Sequence, residues 1–246
     1  MYFPEHQVAF VAINRTASSS LLTALTEGLY SADVPAIWQF KAGHRLRRER
    51  DILKHAQAYF YYAQLGQKRY GDAYVFTQVR NPWDKMVSDF LFRCRAPRDV
   101  SKWRNTRQWF VAQGIEGPTT EPSKALFKEF ILAFNDKTQR AHRQWTRISK
   151  EYDLPDVGKD NVNQMDGLSD LAGNIMVDKV MRFESIQEDW DEVRAVIANR
   201  TGVHLRELPH LNKANRLDYR AYYDDESRET VARVFSKDID AFGYSF

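Results

Sequence analysis

Tyr74-Val-Phe-Thr-Gln-Val-Arg80-Asn-Pro-Trp-Asp-Lys-Met-Val-Ser88 is the stretch on which the fold turns. Its first six residues are apolar or β-favouring, which reads as a short buried strand. Arg80 and Asn81 break the run. Pro82 then stands where a helix tolerates proline, in the first turn, ahead of Trp83, Val87, Phe90 and Leu91 at helical spacing. The order is strand, loop, helix, and it occurs once before. Val8 to Ile13 is a short apolar run, Asn14 to Ser18 a polar turn, and Leu21, Leu22, Leu25 and Leu29 follow at helical intervals. Between the two units, Leu46, Leu53, Ala56, Phe60 and Ala63 repeat with a helix period that stops at Gly66. Two strand-loop-helix units joined by a helix are the ingredients of a right-handed βαβ layout with a parallel sheet, whose ligands gather at the carboxyl ends of the strands. Further along, Ser123 to Phe134 reads as a helix and Ile175 to Phe183 as a third strand. Trp190 to Thr201 reads as a helix, and Ser227 to Phe242 as an amphipathic terminal helix. Gly114 to Pro122 and Glu151 to Asp170 are turn-rich.

The chain has 246 residues, 43% of them hydrophobic, enough for one substantial core, and without a repeat or low-complexity tract it reads as a single domain over 1–246. No run approaches the ~18 apolar residues of a membrane span, and Val8 to Ile13 is too short for a leader core. The expected compartment is the cytoplasm. One cysteine, Cys94, permits no internal disulfide and no multi-cysteine metal site, and it reads as a small packed residue. The absence of paired-histidine or clustered-carboxylate spacing implies no metal. Net charge is only +3, yet Lys41 to Arg50, Arg93 to Arg107, Lys137 to Arg147 and Arg206 to Arg220 are each rich in basic residues. They suit a small, multiply charged anion; taken singly, each also suits a solvated helix face. Nucleic acid is disfavoured because no zinc-finger spacing, RNA-recognition signature or basic tail is present.

Asn14-Arg-Thr-Ala-Ser-Ser-Ser20 lies where a strand gives way to a helix, so its N–H groups and hydroxyls converge on the positive end of the helix dipole. The glycines and lysine of a GxxxxGK[ST] loop are missing, which argues against an ATPase or GTPase. By itself such a segment is better explained by an N-cap. A second loop of the same kind, with Arg80 leaving the strand end and Ser88 about two turns into the next helix, turns the balance toward a nucleotide charged at both ends.

Together these segments resemble the sulfotransferases that use 3′-phosphoadenosine 5′-phosphosulfate (PAPS), and among them the carbohydrate-type branch of Golgi enzymes and bacterial relatives. Arg15-Thr-Ala-Ser-Ser-Ser20 looks like that family's 5′-phosphosulfate loop, and Val79 to Ser88 is similar to its 3′-phosphate motif. Arg182-Phe-Glu-Ser-Ile-Gln-Glu-Asp-Trp190 looks like its RFE segment. Leu208-Pro-His-Leu-Asn-Lys213, Tyr222 to Glu226 and Asp238 to Phe246 resemble its closing stretch. The resemblance implies a P-loop-like three-layer α/β fold, with a central, mainly parallel sheet flanked by helices. It implies that Arg15, Thr16, Ala17, Ser18, Ser19 and Ser20 cradle the 5′-phosphosulfate, that Arg80 and Ser88 hold the 3′-phosphate, and that Asn212 and Lys213 lie in a loop closing over the nucleotide. PAPS is then the co-substrate and adenosine 3′,5′-bisphosphate (PAP) the product. Arg15 departs from the usual lysine, replacing a compact ammonium with a planar fork.

Sulfuryl transfer needs nucleophile and leaving group aligned and charge stabilised on the leaving oxygens, a task suited to Arg15 and the serines. An acceptor hydroxyl must also lose a proton, and histidine is the natural base. Among six histidines His44, in Lys41-Ala-Gly-His-Arg45, is the candidate; a helix-start or substrate-contact role reads equally well. His142 reads as a surface histidine, and Glu184 as a buried partner for an arginine. The acceptor, a carbohydrate or small molecule carrying a hydroxyl or amine, is not encoded legibly. Trp103, Trp109 and Trp145 offer rings for a sugar, or packing. Oligomeric state is left open. The competing readings are a nucleotide kinase-like phosphotransferase, a non-catalytic binder of PAPS or sulfated glycan, and a nucleic-acid module with steep salt dependence.

Overall fold

The computed structural model describes residues 1–29, 56–95, 124–132, 163–208 and 217–246. They sort into two units, one of Met1–Arg80 with Ala141–Ala214 and one of Asn81–Arg140 with Asn215–Phe246. Among the described residues no helix is long and apolar enough to cross a membrane.

The first unit holds the sheet. Its strands are β1 (Tyr2–Phe3), β2 (Val8–Val11), β3 (Tyr74–Val79) and β4 (Lys179–Arg182), in the order β1-β2-β3-β4. β1 pairs antiparallel with β2, while β2 with β3 and β3 with β4 are parallel, in registers running Val8↔Tyr74 to Val11↔Thr77 and Phe76↔Lys179 to Val79↔Arg182. The fold is therefore α/β, with a mostly parallel sheet flanked by helices, as the repeated strand-loop-helix order predicts. Every residue of β2 and β3 is buried, including Thr77 and Gln78, as in strands covered on both faces.

Side-chain alternation sorts these strands by face. Val8, Phe10 and Ala12 join Tyr74, Phe76 and Met181 in one apolar core with Leu21, Ala24, Leu25 and Leu29 of α1 (Ser18–Leu29) and Trp190, Val193 and Ile197 of α4 (Ile186–Thr201). Phe10 and Phe76 pack at 5.1 Å between ring centroids, and Trp190, fully buried, ties its indole N–H to the Arg206 carbonyl at 3.0 Å. Truncating such a ring to alanine costs ~3–5 kcal/mol. Gly28 lies inside α1 against Leu205 Cδ2, so a larger residue there makes the Leu205 side chain shift.

Gly66, with φ 74° and ψ 161°, leaves helical geometry and ends the first part of α2 (Ala58–Asp72) as expected, and a second helical stretch follows to Asp72. Two boundaries differ from expectation. The third predicted strand, Ile175 to Phe183, pairs with the sheet only over Lys179–Arg182, because Ile175 instead bridges Ser169 in a local turn. The terminal helix is two, α5 (Asp225–Val234) and α6 (Ser236–Phe242), broken where Phe235 leaves helical geometry with φ −107° and ψ 25°. β1 was not predicted, since two residues carry no periodicity. The part of the expected Leu46–Gly66 helix before residue 56 lies outside the described residues.

The second unit is helical and aromatic. α3 (Pro82–Arg95), a helix over 124–132, α5 and α6 surround Phe90, Phe127, Tyr222 and Tyr223, with Phe127 edge-on to Tyr223 at 4.7 Å and to Phe90 at 5.3 Å. Asp224 caps α5, accepting from the Ser227 N–H at 2.8 Å in a capping box, and its carboxylate also meets Lys128 at 3.0 Å.

Candidate functional site

The first loop turns sharply between β2 and α1. Arg15 and Ala17 both take φ 66°, a left-handed conformation that non-glycine residues adopt at a cost. Thr16 between them is fully buried, its hydroxyl donating to the Ile13 carbonyl at 3.0 Å, so its side chain braces the loop from inside. The Ala17 carbonyl accepts the Ser20 N–H at 3.0 Å, the first turn of α1. Ser18 and Ser20 are buried and Ser19 is exposed. α1 has no acidic residue in its first turn, so nothing within the helix neutralises the positive end of its dipole.

Arg80 continues β3 and is buried. Three neighbours fix it. Its guanidinium lies 3.9 Å over the centroid of Phe183, and its Nη1 donates to the Arg15 carbonyl at 3.1 Å. Its backbone is held by Gln164, whose Oε1 accepts the Arg80 N–H at 2.9 Å while Nε2 donates to the Arg80 carbonyl at 2.8 Å. The two loops, 65 residues apart in sequence, thus meet at the ends of adjacent parallel strands.

Phe183 is delivered by the RFE segment. Just past β4, the Asp189 carboxylate accepts the Arg182 N–H at 2.7 Å and the Ser185 hydroxyl at 2.9 Å, and meets Lys179 at 2.8 Å. Burial pushes this carboxyl up, yet the Arg182 N–H, Lys179 and Ser185 together hold it below its ordinary range. The strand end and the first turn of α4 are thereby locked around Phe183. Glu184 is exposed, correcting its expected buried place, and the ring before it, Phe183, lies against Arg80. Sequence reasoning noticed the segment but not the ring's task. It missed Gln164 altogether, since that residue sits in a turn-rich stretch and meets Arg80 across 84 positions.

In the second unit, Asn81 caps α3, its Oδ1 accepting from Trp83 N–H at 3.0 Å and Asp84 N–H at 3.4 Å. Its amide also donates to the Ser245 carbonyl at 3.0 Å. The last ring, Phe246, stands edge-on to Trp83 at 5.7 Å and to Tyr223 at 5.4 Å. The closing stretch therefore packs on the helix that carries Ser88, which is half-buried on α3. His44, His142, Asn212, Lys213, Trp103, Trp109 and Trp145 lie outside the described residues. Among the described residues no group of three or more His, Cys, Asp and Glu side chains is placed to hold a metal ion.

A family model described as the sulfotransferase family matches residues 1–245. No curated protein and no solved structure matches the chain. The match spans both loops that meet at Arg15 and Arg80, the RFE segment beneath Arg80 and the closing stretch tied to Asn81, and the chain accordingly belongs to the sulfotransferase family, a transferase of sulfuryl groups.

Proposed function

We propose that the chain transfers a sulfuryl group from PAPS to a hydroxyl, or an amine, of a carbohydrate or small-molecule acceptor. The contact of Arg80 with the Arg15 carbonyl carries the reading, because it joins a guanidinium at one strand end to a strained loop opening a helix at the next. Such a pairing suits a ligand with two anionic groups. Arg15 and the Thr16 to Ser20 loop take the 5′-phosphosulfate, with Ala17 contributing backbone alone. Arg80 and, by the resemblance, Ser88 take the 3′-phosphate, and Asn212 and Lys213 close over the nucleotide. No metal is assigned a role.

When bound, PAPS supplies the sulfuryl group and a bisphosphate leaving group: an acceptor-oxygen-to-sulfur bond forms, and the bridging sulfur-oxygen bond breaks with its electron pair staying on the bisphosphate. Arg15 stabilises charge on that leaving oxygen. The acceptor's proton passes to a base, for which His44 is our assignment. The family match runs through both units, and we read 1–246 as a single sulfotransferase domain acting in the cytoplasm.

The test is calorimetric titration with PAP beside ATP and AMP. Selective binding of PAP supports both anion loops at once; no binding, or equal binding of ATP, overturns the assignment of PAPS and reopens the phosphotransferase and nucleic-acid readings. With PAPS and a hydroxyl acceptor, His44→Ala is expected to lower turnover ~10²–10⁴-fold while PAP affinity holds. Full turnover in that variant moves the base elsewhere.

A further inference from the structure

We infer that Gln164 is a positioning residue for phosphate recognition, aiming Arg80 by completing the sheet at the point where β3 runs out of neighbours; this rests on the reading of Arg80 as the 3′-phosphate ligand. The β3–β4 ladder ends at Val79↔Arg182, one residue short of Arg80. The N–H and carbonyl of one strand residue point the same way, and buried without partners they cost free energy that would let the chain twist away. A primary amide matches such a pair, offering one acceptor and one donor side by side. Gln164 does this at 2.9 and 2.8 Å and is itself only 2% exposed. Its side chain stands in for one more residue of a neighbouring strand.

The consequence is directional. With its backbone held in extended form through residue 80, the Arg80 side chain leaves on the side where Phe183 lies under its guanidinium and the Arg15 carbonyl accepts from Nη1. A guanidinium fixed at its backbone, its face and one nitrogen has little freedom left to lose when an anion arrives. Gln164 touches no ligand in this scheme; it acts only through Arg80. Its turn, Met165–Gly167, follows directly, with the Gly167 N–H bonded to the Gln164 carbonyl at 3.0 Å, so the residue is held at the start of a tight turn rather than in a free loop.

A double-mutant comparison on the full chain separates positioning from mere stability. Wild type, Gln164→Met, Arg80→Ala and the double variant are titrated calorimetrically with PAP and with AMP, which lacks the 3′-phosphate. We expect Gln164→Met to lose about 10-fold in PAP affinity while AMP affinity changes less than about 2-fold, and to add nothing once Arg80 is alanine. Equal loss for both nucleotides, or full additivity with Arg80→Ala, would overturn the inference and leave Gln164 a structural residue. If Gln164→Met does not fold, Gln164→Glu, which keeps the acceptor for the Arg80 N–H and loses the donor, is judged by the same ratio. A wild-type chain that does not prefer PAP over AMP instead brings down the 3′-phosphate reading itself, a result distinct from a preference that survives the Gln164 variants.

Discussion

The Arg80 guanidinium donates from Nη1 to the backbone carbonyl of Arg15 at 3.1 Å, so that two arginines from separate strand-loop-helix units share one hydrogen bond without either losing its charge. The geometry uses the carbonyl dipole of one cationic residue to steady the cation of the other.

Lysine cannot reproduce that arrangement. It has no planar face for Phe183 and no fork to share between the Arg15 carbonyl and an anion. Arg80→Lys is expected to weaken PAP binding nearly as much as Arg80→Ala, by ~1.5–3 kcal/mol, with both followed by titration calorimetry. Wild-type affinity in Arg80→Lys would mean that point charge alone suffices.

Ala17 holds φ 66° at the mouth of α1, where a side chain with a branched Cβ fits poorly. Ala17→Gly is expected to hold or raise stability, contrary to the usual sign of such a change beside a helix, whereas Ala17→Val should cost roughly 1–3 kcal/mol. Urea unfolding of the three proteins decides it; a destabilised glycine variant would place the strain elsewhere.

Gln78 presents the opposite case. It is fully buried on β3, and neither its Nε2 nor its Oε1 has a hydrogen-bond partner among the described residues. A buried unpaired amide costs ~1–3 kcal/mol, so Gln78→Met should stabilise the fold by an amount of that order in equilibrium unfolding. A variant less stable than wild type would show that the amide is paired after all.

The α5 cap titrates. Hydrogen bonds from Ser227, then the Lys128 ammonium, lower the Asp224 carboxyl from its ordinary 3.8 to about 2. The folded chain thus releases this proton more readily than the unfolded one. The cap's contribution is fully present above the ordinary value and is lost as pH falls through about 2. Asp224→Ala should cost ~0.5–2 kcal/mol at pH 7 and progressively less in melts toward pH 2. An unchanged gap between variant and wild type across that range would assign the stabilisation to something other than the carboxylate.

The periodic parts of the molecule were legible without coordinates. Val8 to Val11 is an uninterrupted apolar run and Tyr74 to Val79 is broken only by Thr77 and Gln78, because both faces of a central parallel strand are covered, and α1 and α4 bear their apolar stripes for the same reason of burial. Pro82 marked the start of α3 through local chemistry, a residue without an N–H in the first turn, while the Asn81 side-chain cap came from the structure. Boundaries were less legible. The break at Phe235 falls inside a stretch that reads as one helix, and a two-residue strand such as β1 leaves no pattern.

The candidate site divides along the same line. Sequence alone determined its chemical inventory: an arginine and three serines at one strand end, an arginine at the next, and an RFE segment further on, since these are local choices of residue type beside predictable elements. Only the tertiary structure decided that the Thr16 hydroxyl turns inward, that the Phe183 ring lies under the Arg80 guanidinium, and that Gln164 closes the ladder at Arg80. Each of those depends on partners brought together from distant parts of the chain or on which way a side chain points. Neither leaves a period or a spacing in the sequence, because the free energy that selects them comes from satisfying buried polar groups in three dimensions.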